Sequence, residues 1–233
     1  MTSRTNEDVA RLYRETMAAT TVDWIVSEQP VPWRPDIWQR EWRKDPVLPH
    51  SEVIGQLERE LAEHGKIRRR FVFDLADRDV PLLIAAIAWG RGEDGRGPWH
   101  ARKALSWRED PAAVIAEART AMFTGGIRAA YRAMFSGNKS RQPECSTAYV
   151  TKILHFMAYE SDASPRPLIY DSRVATALAR IAGAPARPAP AYLSSRQYVE
   201  YCTWAQSTSS DPIVAEYALF TVGELRSGPE GGS

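Results

Sequence analysis

Residues 151–159, TKILHFMAY, and 167–178, PLIYDSRVATAL, carry the reading that decides this chain. From Thr147 to Tyr159 the sequence is apolar nearly all round except for Lys152 and His155, which predicts a buried helix. A lysine there needs explaining, because an ammonium taken out of water without a partner is costly. An apolar setting and the positive end of a helix dipole both disfavour the charged form, and the neutral amine is the nucleophile. The alternative is a lysine whose stem packs while its head reaches water. Asp171 follows the apolar run Pro167-Leu168-Ile169-Tyr170 and precedes a helix expected over 172–183, so it reads first as an N-cap. The cap does not exclude a second role. Amide donors at a helix start keep a carboxylate ionised, and an ionised carboxylate can support positive charge developing nearby.

Working outward, the remaining elements are helical. SEVIGQLERELAEHG (51–65) opens on a Ser51 cap and closes on Gly65, with Val53, Ile54, Leu57 and Leu61 on one face. An almost wholly apolar helix runs from Asp79-Val80-Pro81 to Trp89, then breaks into the glycine-rich loop Gly90–Pro98. Pro111 starts another helix, GIRAAYRAMFSG (126–137) continues the texture, and NKSRQPECS (138–146) is a polar connector. SSRQYVEYCTWAQ (194–206) is helical, and Pro212 opens IVAEYALFTVGELR. Residues 6–20 suit a helix, while the stretch to Pro49, with Trp24, Trp33, Trp38 and Trp42 among prolines, makes about 1–50 an irregular, aromatic-anchored segment. No long run alternates with period two, so the fold is mainly α. One domain is expected over 1–227, with helical lobes over 51–227 and a disordered tail over 228–233.

Composition narrows the function. At 233 residues and 44% hydrophobic content, one core or two small lobes around a cleft are within reach. No apolar run approaches the ~20 residues that span a bilayer, and residues 1–15 carry no apolar signal core, so a cytoplasmic protein is expected. Cys145 and Cys202 stand alone, without the spacing of a zinc, iron–sulfur or disulfide framework. Thirty basic residues against 29 acidic ones give a net charge of +1, so any nucleic-acid surface must be local. The candidates are Lys66-Ile67-Arg68-Arg69-Arg70 and the stretch Arg91 to Lys103 with Trp89 and Trp99, each of which equally reads as a solvated face. His50, His64, His100 and His155 form no triad context.

Lys152 and Asp171 lie 19 positions apart, on a buried helix and at the cap of the next, with a proline-containing turn between them. In this order and separation the segment resembles the catalytic core of helix-hairpin-helix DNA glycosylases, and specifically the 8-oxoguanine DNA glycosylase branch. EYALFTVGEL (216–225) resembles that branch's C-terminal base-pocket helix. The resemblance implies a two-lobed helical fold with the active site between lobes. Its substrate would be double-stranded DNA bearing a modified base, and the enzyme a monomer associated with the nucleoid, with no cofactor and no metal.

Residue by residue, the resemblance makes Lys152 the nucleophile and Asp171 the catalytic carboxylate. It makes Phe156 and Phe220 the aromatics on either side of the extruded base, Glu216 the reader of its hydrogen-bonding edge, and Arg173 a phosphate contact. The branch's glycine-rich hairpin, Leu-Pro-Gly-Val-Gly-x-Lys, is replaced here by Ser146-Thr147-Ala148-Tyr149-Val150-Thr151-Lys152. Ser146, Thr147 and Thr151 would then supply the phosphate contacts, and Arg91 would fill the hole left in the duplex. Because a carboxylate only accepts, Glu216 points to a base with an exposed amino group, such as a cytosine derivative. Three functions follow: excision of an oxidised base with strand nicking by β-elimination, defence by stripping glucosylated hydroxymethylcytosine from phage DNA, or DNA binding without catalysis.

Overall fold

The computed structural model describes residues 5–43, 51–106, 110–135, 146–159, 161–181, 184 and 193–224. Along the chain the helices are α1 (Asn6–Ala19), α2 (Val22–Glu28), α3 (Pro35–Trp42), α4 (Ser51–His64), α5 (Arg69–Phe73), α6 (Asp79–Arg91), α7 (Gly97–Leu105), α8 (Pro111–Phe135), α9 (Thr147–Met157), α10 (Ser172–Leu178), α11 (Ser195–Thr208) and α12 (Pro212–Glu224). The two strands, β1 (Pro30–Val31) and β2 (Ile67–Arg68), pair antiparallel. The fold is mainly α, as the missing period-two pattern implies.

Local chemistry sets the helix starts. Thr5 and Asp8 form a capping box on α1, Ser194 and Gln197 another on α11, and Thr21 caps α2 through the Trp24 amide. Prolines in the first turn begin α3 and α7. The N-terminal segment is therefore not irregular as far as it is described, because it holds three short helices. Its tryptophans do anchor it: Trp33, Trp38 and Trp42 are buried, and their rings follow one another at 5.9 and 6.0 Å. Two further boundaries differ from the sequence reading. The α6 helix continues through Gly90 and Arg91, and α10 ends at Leu178 rather than at 183. A kink at Gly126, where φ is +69°, divides α8. The connector 138–145 with Cys145, the Ser51 cap and the tail 228–233 lie outside what is described.

Two groups of helices emerge from the packing. In one, α12 is surrounded by α1, α2, α10 and α11; in the other, α6 meets α4, α5, α7, α8 and α9. The α9 helix is buried at every position from Tyr149 to Met157, so Lys152 is presented from within the core rather than from a loop.

Candidate active site

Lys152 and Asp171 meet. The lysine side chain is 6% exposed and that of the aspartate 16%, with Nζ 3.5 Å from Oδ2. The other carboxylate oxygen, Oδ1, accepts hydrogen bonds from the amides of Arg173 and Val174 at 3.0 and 3.1 Å. Asp171 is thus both the N-cap of α10 and the neighbour of the amine. Lys152 is the sixth residue of α9, beyond the first turn where the helix dipole acts, so burial among apolar side chains is what sets its surroundings. Gly90 runs along its stem: a Cβ there would stand 2.7 Å from Lys152 Cε and 2.9 Å from Cδ.

Asp171 is held in place by a buried segment that has no sheet to pair with. The carbonyl of Pro167 accepts from His155 Nδ1 at 2.8 Å, that of Leu168 from the Tyr198 hydroxyl at 2.9 Å, and that of Ile169 from the Tyr201 hydroxyl at 2.9 Å. Tyr170 gives its amide to Thr151 Oγ1 at 3.0 Å. Thr151 and Tyr170 immediately precede Lys152 and Asp171, so this hydroxyl ties the two backbones together next to the pair.

An open cleft of about 930 Å³ lies over the pair. Gln29, Trp89, Gly90, Lys152, Asp171, Arg173 and Phe220 are among the residues that line it. Ser146 and Thr147, at the start of α9, line it as well, and so does Arg91. Arg91 does not hang loose there. It donates to the Tyr149 hydroxyl, to Asp94 Oδ2 at 2.8 Å and toward His100 Nε2 at 2.6 Å. The Arg173 guanidinium lies 4.6 Å over the Phe220 ring. Gly223 lets the α12 backbone come close to that of Arg173: a Cβ there would stand 2.0 Å from the Arg173 carbonyl oxygen.

Residues 25–220 match the family model described as "Putative 8-oxoguanine DNA glycosylase OGG-like protein". The chain belongs to this OGG-like family. Searches of curated proteins and of solved structures found no match.

Against what the OGG-like resemblance implies, three residues stand elsewhere. Phe156 is fully buried and packs against Phe73 and Trp89, at 4.9 and 5.5 Å between ring centroids. It does not line the cleft; the Trp89 ring packed against it does. Thr151 is also fully buried, its hydroxyl spent on Tyr170. Glu216 is 2% exposed and lies outside the cleft lining, its Oε2 2.6 Å from Arg69 Nη2. Its carboxylate is paired with Arg69 rather than part of the cleft lining, where the resemblance would have it meet an amino-bearing base.

Arg69 is the residue that the sequence hid. It was part of a basic run that read as a solvated face, yet it is 0% exposed. Besides Glu216 it donates to Gln29 Oε1 at 2.7 Å and to His155 Nε2 at 2.7 Å. The proton positions on His155 follow from its partners: a carbonyl only accepts, so Nδ1 carries the hydrogen toward Pro167 and bare Nε2 faces the guanidinium. Burial, and then the Arg69 charge, hold the imidazole well below its ordinary 6.5. Burial also pushes the Glu216 carboxyl up, against the opposing pull of Arg69. No short-range pattern marks Arg69, because its three partners lie 40, 86 and 147 residues away.

Proposed function

We propose that this chain is a DNA N-glycosylase that extrudes a modified base from the duplex and removes it with Lys152 as nucleophile and Asp171 as supporting carboxylate. One observation carries the reading: an amine on α9 and a carboxylate at the cap of α10, 3.5 Å apart, both line an open cleft large enough for a nucleotide. In this reading the lysine nitrogen attacks C1′ of the extruded sugar. The bond from C1′ to the base nitrogen breaks, and the base leaves with the electron pair and takes up a proton. Asp171, anchored by two backbone amide donors, faces the positive charge that builds on the sugar. The adduct then opens the sugar ring to a Schiff base, from which β-elimination nicks the strand. Extrusion costs about a few kcal/mol of stacking and pairing, which Trp89 and Phe220 on the cleft walls would offset by packing on the base. Ser146 and Arg173 line the cleft and would contact phosphate, whereas the Thr147 hydroxyl is engaged by the Tyr131 hydroxyl and the Leu193 amide and Arg91 is tied to Tyr149, Asp94 and His100.

Borohydride trapping tests this. Duplexes carrying 8-oxoguanine, an abasic site, hydroxymethylcytosine or glucosylated hydroxymethylcytosine are mixed with the protein and the reductant. The expected result is a covalent protein–DNA adduct on the abasic duplex and on at least one base-bearing duplex, and none with Lys152→Gln. Neither adduct nor released base on any of the four would leave a DNA-binding protein instead.

A further inference from the structure

We infer that Gln29 reads the extruded base as a hydrogen-bond donor, and that Arg69 is the positioning residue that fixes the direction of its amide. The inference rests on the glycosylase reading and adds the chemistry of the base edge selected. Gln29 is 5% exposed and lines the cleft. Its Oε1 accepts from Arg69 Nη1 at 2.7 Å, and its backbone carbonyl accepts from the Arg69 amide at 3.2 Å. A guanidinium offers only donors, so a flipped amide would set N–H against N–H.

Arg69 cannot turn away to permit the flip. Its Nη2 is held at once by Glu216 Oε2 at 2.6 Å and by His155 Nε2 at 2.7 Å, and the Trp89 ring lies 5.4 Å from its central carbon. The amide nitrogen of Gln29 is therefore the end left for the cleft. Among the described residues Nε2 has no hydrogen-bond partner, and it does not belong to the polar atoms sealed from solvent.

A donor of fixed direction sorts bases by polarity. A base edge with a carbonyl oxygen or a bare ring nitrogen at that point completes the bond, whereas an amino group there leaves two donors facing each other in a desolvated site. The buried Glu216 thus acts at one remove: it neutralises and orients Arg69, which orients Gln29. The selected edge has acceptor character, opposite to what a base-facing Glu216 would choose.

The test measures the affinity of the full-length Lys152→Gln protein, in which no base is lost, for two duplexes that differ at one purine. One carries 8-oxoguanine, with a carbonyl at the six position, and the other 8-oxoadenine, with an amino group there; each stands opposite an abasic-site analogue. The expected preference is about tenfold for the carbonyl base, the worth of one well-placed hydrogen bond. Adding Gln29→Glu, which is isosteric but presents only acceptors, should abolish or reverse it, and adding Arg69→Lys should narrow it. Equal affinities before the change, or a preference unaltered by Gln29→Glu in a protein with a native melting curve, overturn the inference. If Arg69→Lys fails to fold, Gln29→Glu alone decides. Trapping of the abasic duplex reports on Lys152 separately: an adduct there beside a failed base preference removes only the role of Gln29, while no adduct removes both.

Discussion

Two cation–carboxylate pairs lie close together in this molecule, and they differ in slack. Arg69 and Glu216 meet at 2.6 Å with side chains 0% and 2% exposed, while Lys152 and Asp171 stand 3.5 Å apart with side chains 6% and 16% exposed and the cleft beside them. The first guanidinium is committed to three partners; the lysine has one long contact. Burial of both charges in a tight pair leaves nothing for a substrate. A looser pair beside the cleft leaves the amine with one long contact and the carboxylate anchored by two backbone amides. Unlike the Arg69 pair, the Lys152 pair lines the cleft, and it is the pair on which the proposed chemistry rests.

Removing charge from each pair in turn should separate them. The largest effect is expected from Asp171→Asn, which keeps a capping side chain on α10, since asparagine caps as well as aspartate, but loses the anion. Turnover in single-turnover base-release assays should fall about 10³-fold, with DNA affinity and melting temperature near native values; undiminished turnover would take Asp171 out of the mechanism. Next comes Arg69→Met, which strands Glu216 in the core. Denaturant unfolding should show a loss of about 3–5 kcal/mol, much of it recovered in the double variant with Glu216→Gln, and a loss under 1 kcal/mol would mean that the buried pair is not structural. The smallest of the three is Gly90→Ala. Its Cβ would press on the Lys152 stem, whose far end can yield, so stability should change little while adduct formation slows by about a hundredfold through the misplaced amine. Native rates there would show that the spacing of the loose pair is not critical.

Much of the scaffold was legible. The buried character of α9, the cap at Asp171, the proline start of α8 and the start of α11 follow from local signals, and local signals suffice where the deciding partners lie within a turn or two. The pairing of Lys152 with Asp171 was legible through the resemblance. The surroundings of Phe156 and Glu216 were not. Phe156 lies one turn after Lys152 and so suggests the same face, but whether a residue on that face meets solvent depends on Trp89, from a helix more than sixty residues earlier. Arg69 and Glu216 are 147 residues apart, and a single sequence carries no mark of such a pairing. The α2 and α3 helices have seven and eight residues and lie among prolines, so tertiary contact, of α2 with α5 and α12 and of α3 with α7 and α4, rather than apolar period sustains them.

The stretch before Asp171 bears on how this chain could change. Its successive carbonyls are each answered by a different side chain, His155, Tyr198, Tyr201 and Thr151, and among the described residues no neighbouring strand stands by as a substitute. The aim of the carboxylate is therefore a vote cast by two helices, α9 and α11. Exchanging a tyrosine of α11 for phenylalanine withdraws one voter and re-aims the aspartate without touching the cleft, so drift far from the reacting atoms can tune the chemistry.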